Sequence, residues 1–258
     1  MGFLKALFGG AEQTPEEEQQ ETERKRFDLM KYDGVKAMKM GQWEYAVRCL
    51  DEALKVKDDL EVHEYLSRVF VRMDRLDEAV EQLGILSRAE PENAAVLLQM
   101  AHICYMKEDY AAMGEAVEKA IAVEPESAQA YYLYAQGALK QGDLVNGIAR
   151  LPKAVTLDET LADARLLRAQ TLLGMGDISG AEEDSQWLLE HVGDHEDVLM
   201  LASQVARAKG DDNQAVELLK KALELNPFLL DNVSGDYEAE GVEQQVKRAY
   251  SNLNPFGI

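Results

Sequence analysis

The stretch AKGDDNQAVELLKKALELNP, residues 208–227, holds the end of one helical pattern, a sharp turn and the whole of a second pattern. Ala215, Leu219 and Ala222 fall at the three- and four-residue spacing of one helix face. Gly210 stands between the two patterns, where a tight turn needs a residue that tolerates a left-handed backbone. Pro227, with no amide hydrogen to donate, closes the second helix.

The same grammar recurs upstream. Segments ending ALKVKD, LSRAEP, AIAVEP, AVTLDE, LLEHVG and ALELNP follow one another at nearly constant spacing. A small-residue slot reads Ala46, Ala79, Met113, Gly147, Ala181 and Ala215, separated by 33 residues and then by 34 four times. Five residues before each slot stands Gly41, Asp74, Glu108, Gly142, Gly176 or Gly210. Gly34, Ser67, Ala101, Ala135, Ala169 and Ser203 on the first helices are expected to face the Ala46 series, letting the two helices of a pair approach closely. No run alternates with the period of two that strands require, and a period of this length indicates a solenoid.

The chain resembles the tetratricopeptide repeat family. The A-x3-F…A…P pattern of that family is matched by Ala46-Leu50-Ala53, Ala79-Leu83-Pro91 and Ala215-Leu219-Ala222-Pro227. Six copies cover roughly residues 27–229. Departures are Met113 and Gly147 at the small slot, Ser185 where a large apolar residue is usual, and Gly193 in place of the closing proline. Pro152 falls inside the second helix of the fourth copy, where a kink and a soft point are expected. The expected fold is all-α, a right-handed α-solenoid of about six helix-turn-helix repeats. Residues 1–26 are expected to be an apolar tip with an acidic linker or frayed helix, and residues 230–258 a C-terminal capping helix and tail, with Val242, Val246, Ala249, Tyr250 and Leu253 on one stripe.

Composition limits the partners. A formal charge of −21 over 258 residues repels phosphate backbones and anionic membranes, so nucleic acid is excluded as an expected partner. Cys49 and Cys104 are too few for a disulfide framework and lie in apolar helical patterns, which fits a reducing, cytoplasmic location. The apolar part of MGFLKALFGG is short and broken by Lys5, unlike a signal peptide or a spanning helix.

Catalytic signatures are missing: there is no P-loop, zinc-protease helix or nucleophile elbow, and neither a cofactor nor a metal is expected. The glycines of GMGDISG, residues 174–180, lack a preceding strand and include the repeat turn Gly176. His191 and His195 have i,i+4 spacing, but Gly193 breaks the helix between them. The carboxylates are spread along helix exteriors. A non-enzymatic protein is expected.

The resemblance also implies a binding surface, because in that family the first helix of each repeat lines a concave groove that contacts peptides. The corresponding residues here are Tyr65, Arg68 and Arg72, then Leu98, Gln99, His102 and Tyr105. They continue with Tyr132, Gln136 and Lys140, then Leu166 and Gln170, then Met200, Gln204 and Arg207. Of the crowded tyrosines, Tyr132 is expected in the groove and Tyr131 and Tyr134 against neighbouring helices. Gln136, Gln170 and Gln204 share one slot in three successive repeats, and a primary amide both donates and accepts, as an extended peptide backbone requires. Lys31, Lys39, Arg68 and Arg72 suggest a locally basic end. The family's clamp for a terminal carboxylate is absent, since Val35, Tyr65, Ala95 and Gln99 replace its amides and cations beside Lys31. The expected function is an interaction scaffold or adaptor that binds a protein or peptide segment. The alternative is a membrane-proximal assembly factor tethered through residues 1–10, where Phe3, Leu4, Leu7 and Phe8 form a short apolar stripe.

Overall fold

A computed structural model describes residues 14–229 of the chain. The apolar tip and the capping helix expected from the sequence lie outside the described residues. Those described form twelve α-helices and one short 3-10 turn, Pro227–Leu229, with no strand among them. The contacts divide the chain into two compact units, Met1–Val123 and Glu124–Ile258. The first unit contains α1 (Pro15–Lys39), α2 (Trp43–Val56), α3 (Leu60–Arg72), α4 (Leu76–Ala89), α5 (Ala94–Met106) and α6 (Tyr110–Val123). The second contains α7 (Ala128–Lys140), α8 (Leu144–Leu157), α9 (Ala162–Gly174), α10 (Ile178–His191), α11 (Glu196–Ala208) and α12 (Asp212–Leu225). In each unit consecutive helices pair as three antiparallel hairpins, and each hairpin packs on the next, the architecture of a tetratricopeptide-repeat solenoid.

One turn is used six times. Gly41, Asp74, Glu108, Gly142, Gly176 and Gly210 all have positive φ, between 57° and 83°. The next amide reaches back to the carbonyl five residues earlier: Gln42 to Ala37 at 3.0 Å, Arg75 to Phe70 at 2.9 Å, and so on to Asp211 and Ala206 at 3.0 Å. This six-to-one bond satisfies a helix-end carbonyl and swings the chain into the second helix. Asp143, Asp177 and Asp211 then cap that helix, each side chain accepting from the amide three residues on.

The seam between paired helices is closed by the small residues. Ala46, Ala79, Ala181 and Ala215 are at most 1% exposed, as are Ala101, Ala135, Ala169 and Ser203 across from them. A Cβ on Gly34 would lie 2.7 Å from Leu50 Cγ, and one on Gly147 would lie 2.6 Å from Leu139 Cγ. At Gly147, a departure from the family pattern, Leu139 occupies the space a methyl group would take and would have to shift to admit one. Ser203 Oγ donates across the seam to the Ala215 carbonyl at 2.7 Å. Helix α8 continues through Pro152, which sits on its exposed side. The acidic stretch from Pro15, readable as linker or frayed helix, is the first part of α1, opened by a reciprocal Thr14–Glu17 capping box.

Candidate functional site

The crowded tyrosines of α7 point in different directions because a helix turns about 100° per residue. Tyr131 is buried, and the Arg150 guanidinium of α8 lies 5.8 Å from its ring and 4.9 Å from that of half-buried Tyr134. Both therefore pack in the hairpin, as expected. Tyr132 lies elsewhere, half-buried, its hydroxyl accepting from Gln136 Nε2 at 3.2 Å.

The first helices of the second unit carry this surface at a constant register. Tyr132, Leu166 and Met200 are half-buried at one slot of α7, α9 and α11. Four residues on, Gln136 and Gln204 are half-buried and Gln170 is exposed. Lys140 and Arg207 are exposed near the turn ends of α7 and α11. An apolar row beside an amide row offers van der Waals contact and two-way hydrogen bonding, but nothing that transfers a group or activates a nucleophile.

The first unit presents a different face. Tyr65, Leu98 and Tyr105 are half-buried, while Arg68, Arg72, Gln99 and His102 are exposed. The Tyr105 and Tyr110 rings meet with centroids 6.0 Å apart. The locally basic end is not borne out at Lys31, whose ammonium bonds Asp59 at 2.9 Å and Glu61 at 2.6 Å. Tyr65 donates to the same Glu61, and Arg68 lies 3.7 Å from Glu64. Burial would lower the Lys31 pKa, but its bonds to the two carboxylates more than offset that and leave it raised. The Lys31 bond, with that from Tyr65, holds Glu61 below the usual carboxylate range. For Asp59 burial works in the opposite sense, yet the bonds from Lys31 and Lys57 leave it lowered too. These charges are spent on one another.

Sequence reasoning missed a buried charge cluster in the α9–α10 hairpin. Asp184 is 0% exposed and accepts from Arg165 Nη1 at 3.0 Å and from Arg168 Nε and Nη2, both at 2.6 Å. Arg165 also donates to the Glu159 carbonyl at 2.9 Å and lies 4.3 Å from the Trp187 ring. The signal available was two arginines at slots where other first helices place residues such as Leu66 and Leu97. Ser185, another departure from the pattern, is buried and lines a cavity of about 270 Å³ with Ala202, Val205 and Leu218.

The histidine pair does not converge. His191 stacks on Trp187 at 4.2 Å and its Nδ1 lies 2.9 Å from the Trp187 carbonyl, whereas His195 caps α11. No group of three or more metal-binding side chains occurs among the described residues. Gly176 is the hairpin turn, with φ +83°. No helix among the described residues is long and apolar enough to cross a membrane.

A family model described as tetratricopeptide repeat matches residues 166–229. Among solved structures, PilF of Pseudomonas aeruginosa has a TM-score of 0.64 at 16% identity, covering 88% of this chain and 99% of its own. PilW, a widely conserved type IV pilus biogenesis factor, gives 0.63 at 17% identity, with 86% and 98% covered. YrrB, a tetratricopeptide protein with an unusual peptide-binding site, gives 0.55 at 18% identity, with 77% and 97% covered. At these identities the likeness is one of fold.

Proposed function

We propose that this chain, a tetratricopeptide-repeat protein by fold and by the family match of residues 166–229, is a non-catalytic scaffold that binds an extended protein segment on the first helices of its second unit. The observation that carries the reading is the register of Gln136, Gln170 and Gln204 on α7, α9 and α11, alongside the apolar row of Tyr132, Leu166 and Met200. An extended backbone presents alternating donors and acceptors, which primary amides meet without regard to sequence. The apolar row then selects among side chains. YrrB, described as having a peptide-binding site, supports the use of this fold for peptides.

The test is a peptide library displayed on phage and panned against the full chain, with selected peptides titrated by fluorescence anisotropy. Replacing Gln136, Gln170 and Gln204 together by alanine weakens binding at least tenfold. The same change at Gln186, Glu217 and Lys221, exposed on second helices, leaves it within twofold. Equal losses would remove the assignment.

A second reading, membrane-proximal assembly through residues 1–10, is favoured by one feature: residues 15–23 of α1 run on past the end of α2 by roughly 13 Å, as a polar arm. Flotation of the full chain and of a chain lacking residues 1–10 with phosphatidylcholine vesicles separates the two readings.

A further inference from the structure

The cavity of about 270 Å³ in the last two hairpins has walls from the second helices α10 and α12, carrying Leu189 and Leu218, and a floor from α11, carrying Ala202, Val205 and Ala206. Ser185 completes its lining. In the other five hairpins the slot of Ser185 holds Leu50, Leu83, Val117, Leu151 and Leu219, each at most 1% exposed. Ser185 is buried too, at 3% exposed, yet its Oγ makes no hydrogen bond among the described residues. Every sealed side-chain oxygen or nitrogen among those residues has a partner, so this hydroxyl opens onto the cavity. A single polar group in an otherwise apolar recess is what orients a small guest. The cleft one repeat earlier, of about 280 Å³, supplies the contrast. There Leu151 stands at the serine's slot, Arg168 is bound twice to Asp184, and Thr171 Oγ1 donates to the Leu167 carbonyl. Space recurs along this face, but a free hydroxyl does not.

We infer that the cavity at Ser185 is a binding site for a small aromatic molecule carrying one hydroxyl group, a phenol. Two helix walls over a floor of small side chains form a slot, which takes a flat ring better than a branched body. The volume is adequate, since an apolar cavity of about 150 Å³ already holds benzene. Ser185 Oγ both donates and accepts, so it can bond the phenol hydroxyl whichever way that group turns. Gln186 and Gln214, exposed at the mouth, leave the slot open to solvent, and the guest enters without unfolding a helix. The other polar groups at the edge are engaged: Lys209 bonds Glu182, and Gln186 donates to Glu190 at 3.1 Å. They have little left to offer a polypeptide backbone, which favours a free small molecule over a side chain of a protein partner. This inference is independent of the peptide-binding reading, which concerns the first helices at Gln136, Gln170 and Gln204.

The test titrates the full chain with p-cresol, and separately with toluene, following backbone and methyl NMR shifts. p-Cresol is expected to saturate with a Kd of about 1 mM or tighter, with the largest shifts at Ala202, Val205 and Ala206. Ser185→Ala keeps the space and removes the hydroxyl, so the ratio of p-cresol to toluene affinity falls about fivefold. Ser185→Leu gives the slot the residue of its sibling hairpins and weakens p-cresol at least tenfold, while the thermal midpoint stays at or above that of the parent. That midpoint separates a blocked site from a misfolded chain. Non-saturating shifts, shifts as large at Thr171 and Leu172 of the neighbouring cleft, or an affinity ratio unchanged in Ser185→Ala would each overturn the inference. N-acetyltyrosine amide binding as tightly as p-cresol would also overturn it, by assigning the slot to a tyrosine of a protein partner.

Discussion

Two hairpins with the same backbone solve one position in opposite ways. In α3–α4 the side chains nineteen residues apart are His63 and Gln82, joined at 2.6 Å, with the other ring nitrogen 2.8 Å from Asp58. In α9–α10 the equivalent pair is Arg165 and Asp184, joined by a charged bond at 3.0 Å, with Arg168 as a third member. The hairpins around them share the small-residue seam, the left-handed turn and the six-to-one bond. Those shared features suffice to fix the pair of helices, so the slot beside the seam is free to vary. It is not free to be left half-filled, and there the two hairpins differ most in what they risk.

The largest expected effect follows from this. Asp184→Ala leaves two guanidinium groups without their counter-charge in a buried site and costs about 3–5 kcal/mol in urea unfolding. Replacing Asp184, Arg165 and Arg168 together by leucine and methionine recovers most of that loss, because the well-packed apolar alternative avoids desolvating three charges. A triple variant as unstable as Asp184→Ala would mean that the cluster stabilises the hairpin outright. The His63–Gln82 pair should be far more forgiving, with Gln82→Met costing about 1 kcal/mol.

Next in size is the seam. Ala181→Leu puts a branched side chain against Ala169, both fully buried, and costs about 1–3 kcal/mol. An unchanged thermal midpoint would contradict the contact. Smaller again is Asp59→Ala, which removes the cap of α3, whose carboxylate accepts from the Val62 amide, and costs about 1 kcal/mol at neutral pH. Asp59 and Glu61 have lowered pKa values in the folded chain, so their contribution is present above the ordinary carboxylate range and lost as pH falls through the folded values. The difference between Asp59→Ala and the parent should therefore shrink as the pH falls below about 4. A gap of constant size down to pH 2 would argue against the ion pairs. The smallest effect is a gain: Glu108 holds φ of 58° where four other hairpins have glycine, and Glu108→Gly stabilises by about 0.5–1 kcal/mol.

The backbone was legible in the sequence because its determinants are local and repeated. The turn residues, the small slots and the apolar spacing each recur at one period, so Asp74 and Glu108 could be placed in left-handed turns by alignment with the glycines alone. The division of Tyr131, Tyr132 and Tyr134 was legible for the same reason. The charge cluster was not, since Asp184 looks like one more carboxylate on an acidic helix until α9 is packed against it. The pairing of Lys31 with Asp59 and Glu61 was also hidden, as it joins residues far apart in the chain whose proximity depends on how α1 meets α3. A repeat reveals what all its copies share and conceals what one copy does alone.

The central claim, that the first helices of the second unit hold a polypeptide ligand, is tested most directly by hydrogen exchange of the full chain with and without a library-selected peptide. The account predicts slowed exchange along α7, α9 and α11 with α8, α10 and α12 unchanged. Protection confined to the second helices would contradict it.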